Sequence, residues 1–253
     1  MSKRIVKSII VETARRFWRR AGGNRSWPCD IERAVQLALP VIIVQLSPLS
    51  INSILRWLAE KGYDFRIDVT NRLLHGLLLI HRGAGIVFIN GTDSIRERRF
   101  TLAHEVSHFL LNYFLPREKV VEKLGESIVE VLDGIREPTI EERISGILQG
   151  VSPQPKPHFL EKRGDGGFDN YHNWSAENHA DSLAVEILAP HKIVCQELLT
   201  TYPRSNYKGY KEKAESLLYE KYQLPRGIAQ LYSGKLSYYI TGGTSIVEKL
   251  GLK

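Results

Sequence analysis

The sequence predicts an α+β protein in which a small mixed or antiparallel sheet packs against a buried helix, followed by a mainly helical C-terminal part. Three observations predict this class. Apolar or alternating runs over residues 41–46, 73–81 and 86–90 are typical of strands. Residues 99–111 and 174–190 have apolar positions at helical spacing. Three further helical segments follow Pro190, over residues 192–199, 211–222 and 224–232.

The elements before residue 99 alternate between helix and strand. The predicted order is a short helix capped by Asp30 and ending at Leu39, a strand over 41–46, a helix over 51–61, a strand over 63–69, and a hairpin whose strands cover 73–81 and 86–90. Glycines in the Arg82–Gly85 segment mark the hairpin turn. Strands that feed helices in this way form layers of an α+β fold.

The positive charge of the chain lies in its first 25 residues. The net charge is +7, and residues 1–25 hold eight basic residues against Glu12 alone, whereas the rest is balanced. Ile5, Ile9, Thr13 and Phe17, together with Val6 and Ile10, give this arm an apolar helical stripe. A basic amphipathic helix can bind nucleic acid, anionic lipid or an acidic partner, but docking on the body through the stripe is the favoured interpretation.

A five-residue pattern, H-E-x-x-H, lies in the helix over residues 99–111. His104 and His108 are four residues apart, so both imidazoles lie on one helix face and can bind one ion. Glu105 is adjacent and can reach a water bound to that ion. The alternative is a buried helix whose histidines are satisfied by hydrogen bonds. Because the flanking residues are apolar, burying these polar groups is costly unless something pairs them, which favours a metal.

The third ligand is expected from the helix over residues 174–190, with Ser175 as N-cap and Pro190 at its end. Glu177 and Asp181 are four residues apart on one face. Glu177 can bind the ion, and Asp181 can accept a hydrogen bond from a ligating imidazole. His179 is a rival ligand on another face. The alternative for Glu177 is a solvated acid favoured by the helix dipole.

Two blocks of residues carry a resemblance to a known family. The first runs from Arg98 to Glu105 as R-R-F-T-L-A-H-E, and the second comprises Glu177, Ala180, Asp181, Ala184, Ile187, Leu188 and Pro190. In these blocks the chain resembles the ImmA/IrrE-type metallopeptidases. The likeness covers roughly residues 27–190 with an interruption. Residues 85–90 look like the edge strand that precedes the H-E-x-x-H helix in such proteins.

The resemblance implies a zincin-like fold, a Zn²⁺ ion and a reaction. It implies that His104, His108 and Glu177 bind the zinc and that Glu105 is the general base on a zinc-bound water. It also implies a zinc endopeptidase whose substrate is a specific protein, a helix-turn-helix transcriptional repressor. The chain departs from the family pattern at Ser107, Asp181 and Ala189, and in the 68 residues between His108 and Glu177.

Three regions follow from these patterns. Residues 1–25 form the basic N-terminal helical arm, residues 26–190 the metallopeptidase core, and residues 191–253 a helical C-terminal subdomain. Within the core, residues 115–173 are an insertion with helices over 118–132 and 139–148, an extended proline-rich stretch over 151–157 and a turn over 164–167. The insertion is either a lid or specificity element over the cleft or a surface elaboration.

Composition bounds the cellular setting. Only two cysteines occur, Cys29 and Cys195, which argues for a reducing compartment and against a disulfide framework. No secretory signal is apparent and no apolar stretch is long enough to cross a bilayer, so we expect a cytoplasmic protein without membrane contact.

Two other functions remain open. The chain could bind a repressor without cleaving it, as an anti-repressor or antitoxin-like module, although a pure binder has no need of Glu105. It could also bind nucleic acid directly through the basic arm, which is less favoured. Tyr171, His172 and His179 are candidates for stabilising the oxyanion, each more readily explained structurally, and Glu186 has no assigned role.

Overall fold

The computed structural model describes residues 6–23, 26–63, 65, 70–148, 160–161, 171–203 and 205–243, with the backbone alone at 148, 160–161 and 171–175. Its helices are α1 (Ser8–Arg20), α2 (Ile31–Ala38), α3 (Ile51–Glu60), α4 (Ile95–His108), α5 (Leu115–Leu124), α6 (Val129–Leu132), α7 (Ile140–Leu148), α8 (Tyr171–Leu188), α9 (His191–Thr201), α10 (Tyr207–Glu220) and α11 (Arg226–Thr241). Its strands are β1 (Val41–Leu46), β2 (Gly76–His81), β3 (Ala84–Asn90) and β4 (Leu160–Glu161). The α+β class predicted from the sequence is confirmed.

The sheet is mixed, with the strand order β1-β3-β2-β4. β1 runs parallel to β3, whereas β2 is antiparallel to both β3 and β4. The expectation that residues 85–90 form an edge strand is therefore wrong, because β3 is an inner strand. The physical reason is that Ile86, Val87, Phe88 and Ile89 are all buried, as in strands that are covered on both faces and paired on both edges.

Alternate residues of the sheet enter two hydrophobic clusters on opposite faces. Leu78, Val87 and Ile89 join the larger cluster, which includes the apolar residues of α4 and α8. Leu79, Ile86 and Phe88 join the second cluster with residues of α3. The turn between β2 and β3 consists of Arg82 (φ 45°) and Gly83 (φ 84°), the positive-φ pair of a tight hairpin. Helices thus cover both faces of the sheet, and α4 is sandwiched between the sheet and α8.

The N-terminal helix docks on α8. Its buried face comprises Ile10, Thr13, Ala14, Phe17 and Trp18, and the indole nitrogen of Trp18 donates to the Ile187 carbonyl at 3.1 Å. Ile9 is 54% exposed, so its inclusion in the predicted stripe is wrong. On the outer face, Arg16 pairs with Glu118 of α5 at 3.1 Å. The helix that carries the basic charge is therefore packed into the body.

The first part of the insertion packs against the β2–β3 turn. Arg117 pairs with Asp133 at 2.7 Å, and both side chains lie beside Gly83. The single helix predicted over residues 118–132 is wrong, because the chain breaks at Gly125 (φ 86°), a backbone conformation that favours glycine. The predictions for residues 151–157 and 164–167, and most of the strand predicted over 63–69, lie outside the described residues.

The C-terminal helices complete the larger core. α9, α10 and α11 correspond to the three predicted segments, but α11 continues to Thr241, nine residues beyond the predicted end. α8 begins at Tyr171, so Ser175 lies inside the helix and is not its N-cap. None of the helices in the described part of the chain has the length and apolar character needed to cross a bilayer.

Candidate metal centre

The helix α4 presents the H-E-x-x-H residues inside the protein. Its start is fixed by a capping box, in which Ser94 accepts from the Glu97 backbone and Glu97 accepts from the Ser94 backbone. Every residue from Phe100 to His108 is buried, because the sheet covers one side of the helix and α8 the other. His104, Glu105 and His108 are each 1–2% exposed. Three polar side chains so deeply buried require partners.

Two histidines of α4 and one glutamate of α8 converge. The Nε2 atoms of His104 and His108 lie 3.1 Å apart, and each lies 3.3 Å from a different carboxylate oxygen of Glu177. Ligand atoms of the three residues all lie within 4.8 Å of one another. The two helices therefore bring together residues that are far apart in the sequence.

Asp181 lies at the far side of the His104 ring. Its Oδ1 lies 2.8 Å from His104 Nδ1, one helical turn beyond Glu177 on α8. A carboxylate at Nδ1 favours the proton on that nitrogen, so that the lone pair of Nε2 faces Glu177 and His108. Glu177 and Asp181 lie on one face of α8, so both carboxylates contact histidine nitrogens of α4.

The Glu177 carboxyl is held ionised by its neighbours. Burial raises the pKa of this carboxyl, but the hydrogen bonds and charges of His104 and His108 outweigh burial, so the pKa lies well below its ordinary value. The Glu177 side chain is 18% exposed, and an anionic carboxylate between two imidazoles is a donor set that suits a divalent cation such as zinc. The residues present therefore fit the metal that the sequence predicts.

Glu105 points toward the sheet at the first residue of β2. A Cβ built on Gly76 would clash with Thr101 Cγ2 and lie 3.0 Å from Glu105 Oε1. The absence of a side chain at residue 76 lets β2 approach α4 closely beside Glu105. Gly76 was not singled out by the sequence, because only the packing of β2 on α4 reveals its role.

Gly76→Ala is expected to displace Glu105 and to lower the free energy of unfolding by about 1–3 kcal/mol, because there is no space for the added methyl group between β2 and the side chains of Thr101 and Glu105. Chemical denaturation measures the stability, and the matched control is Gly227→Ala, where a Cβ meets no atom within 4 Å. Gly227 lies in a helix, so alanine there is expected to be neutral or stabilising. Equal stability of Gly76→Ala and wild type would contradict the close approach.

Comparison with protein families identifies the segment that carries the two histidines. Residues 60–127 match the family model of the IrrE N-terminal-like domain, Peptidase_M78. The segment belongs to the ImmA/IrrE-type family. The resemblance stated from the sequence is thereby confirmed, and it supports a metallopeptidase-type function. Neither the curated proteins nor the solved structures gave a significant match.

The IrrE-like segment contains β2, β3, α4 and α5, and ends 50 residues before Glu177. His104, Glu105 and His108 therefore lie within the family match, whereas Glu177 and Asp181 join the site through the geometry of α8. His179, the rival ligand, instead lies 2.6 Å from the Lys7 ammonium through its Nε2. The side chains of Tyr171 and His172 lie outside the described residues.

Glu186, which had no predicted role, links α8 to α9. Both of its carboxylate oxygens lie within 3.0 Å of His191 Nδ1, and one also accepts from the His191 backbone at 3.1 Å. Both residues are buried. Glu186 therefore accepts a hydrogen bond from a backbone N–H at the start of α9 and stabilises the turn around Pro190. It does not belong to the metal centre.

Proposed function

We propose that this protein is a zinc-dependent endopeptidase that acts in the cytoplasm on a specific protein substrate. The observation that supports it most is the convergence of His104, His108 and Glu177, with Glu105 adjacent to His104 in the sequence, in a chain whose residues 60–127 match the model of a peptidase family. Two histidines and a carboxylate are one of the ligand sets of catalytic zinc sites, which leave a further position open.

Each residue of the centre has one role in this proposal. His104 and His108 supply neutral imidazole nitrogens, and Glu177 supplies an anionic oxygen. Asp181 orients His104 from behind. When bound, zinc supplies Lewis-acid polarisation of the scissile carbonyl and lowers the pKa of water in its coordination shell. Glu105 takes the proton from the attacking water and delivers it to the nitrogen of the leaving amine.

The substrate we propose is a helix-turn-helix transcriptional repressor. The support is the family resemblance of the H-E-x-x-H helix and the α8 block. A peptidase that controls one regulator is expected to be nearly inactive on generic substrates, so casein is a poor assay. The repressor itself, incubated with the full chain and analysed by mass spectrometry, is the appropriate substrate.

Metal content tests the ligand set directly. Wild type purified without chelator is expected to contain close to one zinc per chain by elemental analysis. Loss of a residue that supports a metal ligand from behind weakens metal binding about 10- to 100-fold. Glu177→Ala removes one of the three ligands itself, so it is expected to weaken zinc binding by at least about 100-fold. Glu212→Ala, an exposed acid on α10, is the matched control. Wild type without zinc, even after zinc is added back, would refute the proposal.

A further inference from the structure

A widened turn follows the H-E-x-x-H residues directly. Residues Phe109–Phe114 form a π-helical segment between α4 and α5, a rare structure that occurs often at functional sites. His104, His108 and Asn112 follow one another at intervals of four. In a continuous α-helix, Asn112 would lie about 80° around the axis from His104, since each residue advances by about 100°. The π turn winds less per residue and keeps Asn112 on the histidine face.

Asn112 reaches the outer nitrogen of His108. Its Nδ2 lies 3.2 Å from His108 Nδ1, while His108 Nε2 faces His104 and Glu177. The two histidines thus have different partners at Nδ1. His104 has the Asp181 carboxylate, which when ionised can only accept a hydrogen bond, and His108 has an amide, which can donate through nitrogen or accept through oxygen.

We propose that Asn112 is a positioning residue that satisfies His108 in both of its neutral tautomers. When Nε2 carries the proton and donates to Glu177, the amide nitrogen of Asn112 donates to Nδ1. When Nε2 holds the metal, the proton is on Nδ1, and the amide turns over so that its oxygen accepts. This inference rests on the proposed zinc site, and it explains why an amide rather than a carboxylate stands behind His108.

The proposal predicts opposite effects of two substitutions. Asn112→Leu keeps the branched shape of the side chain but can neither donate to nor accept from His108, and is expected to weaken zinc affinity about 10- to 100-fold, as loss of a partner behind a ligating histidine does. Asn112→Asp offers only an acceptor, which suits the metal-binding tautomer, and is expected to bind zinc at least as tightly as wild type. If Asn112 served only to fill space, placing a charged carboxylate at this half-buried position would not preserve zinc binding.

Two measurements on the full chain test this. Competition with a chromophoric chelator gives the zinc affinity of wild type, Asn112→Leu, Asn112→Asp and the exposed control Asn52→Leu. Nitrogen-15 NMR of the histidines, with and without zinc, gives the tautomer of His108. We expect the Nε2-protonated form without zinc and the Nδ1-protonated form with zinc in wild type, and a mixed population in zinc-free Asn112→Leu.

The outcomes separate the two proposals. If wild type binds no zinc, the proposed function fails. If wild type binds zinc and Asn112→Leu binds it equally tightly, the inference about Asn112 is overturned and the zinc site stands. Weaker binding in Asn112→Leu together with equally weak binding in Asn112→Asp also overturns it. Thermal unfolding of the chelator-treated variants shows whether each is folded, and the NMR of wild type alone decides the tautomers if one is not.

Discussion

Glu105→Gln is expected to lower the rate of peptide-bond hydrolysis by about 10²- to 10⁴-fold, the contribution of a positioned general base. Zinc content is expected to stay at the wild-type level, because Glu105 is not among the three converging residues proposed to hold the metal. Glutamine has nearly the shape of glutamate, so the contact with Gly76 is kept, but a neutral amide cannot take a proton from water.

Newly formed N-termini in cells provide a measurement for which the substrate need not be identified. Cells that express wild type are expected to contain a small set of new termini that is absent with Glu105→Gln and present with Glu122→Gln, an exposed glutamate of α5. The same termini with Glu105→Gln would contradict the role of Glu105. If neither the wild type nor either variant produced new termini, but all three bound the repressor, the protein would be a non-catalytic binding module and not a peptidase.

The parts of the site that could be predicted from the sequence are those fixed by one helix. Helical spacing alone places His104 and His108 on one face, and also Glu177 and Asp181, so both pairs could be predicted without knowing how the helices meet. The first and last residues of β1 also agree with the prediction. The apolar run is short and lies between a predicted helix end and Pro48, so few other limits for the strand are possible.

Features that depend on contacts between distant elements could not be predicted. The inner position of β3 follows from its pairing with both β1 and β2, which a continuous apolar run does not specify. Gly76 matters only because β2 lies against α4 at Glu105. The spacing of four places Asn112 next to His108, but the π turn that follows His108 is not indicated by any periodicity in the sequence, and the role of Glu186 depends on the meeting of α8 and α9.

The N-terminal helix is expected to be essential for stability. Phe17 is 1% exposed and belongs to the cluster that contains the apolar face of α8, so Phe17→Ala leaves a large cavity between the two helices. The expected loss is about 3–5 kcal/mol in the free energy of unfolding, the usual range for a buried phenylalanine. Because α8 also carries Glu177 and Asp181, zinc binding is expected to weaken in the same variant.

Urea denaturation of the zinc-free chain measures the loss of stability separately from the metal. Arg19→Ala, on the exposed face of the same helix, is the matched control and is expected to lie within about 0.5 kcal/mol of wild type.

If Phe17→Ala were as stable as wild type, α1 would not be part of the body, and the basic arm would be available for nucleic acid. Binding of DNA that falls steeply with salt and is lost on deleting residues 1–25 would then be expected. Docking of α1 instead predicts that its basic charges serve contacts such as that of Arg16 with Glu118 of α5, while the buried apolar face of α1 holds it against α8, the helix that carries Glu177.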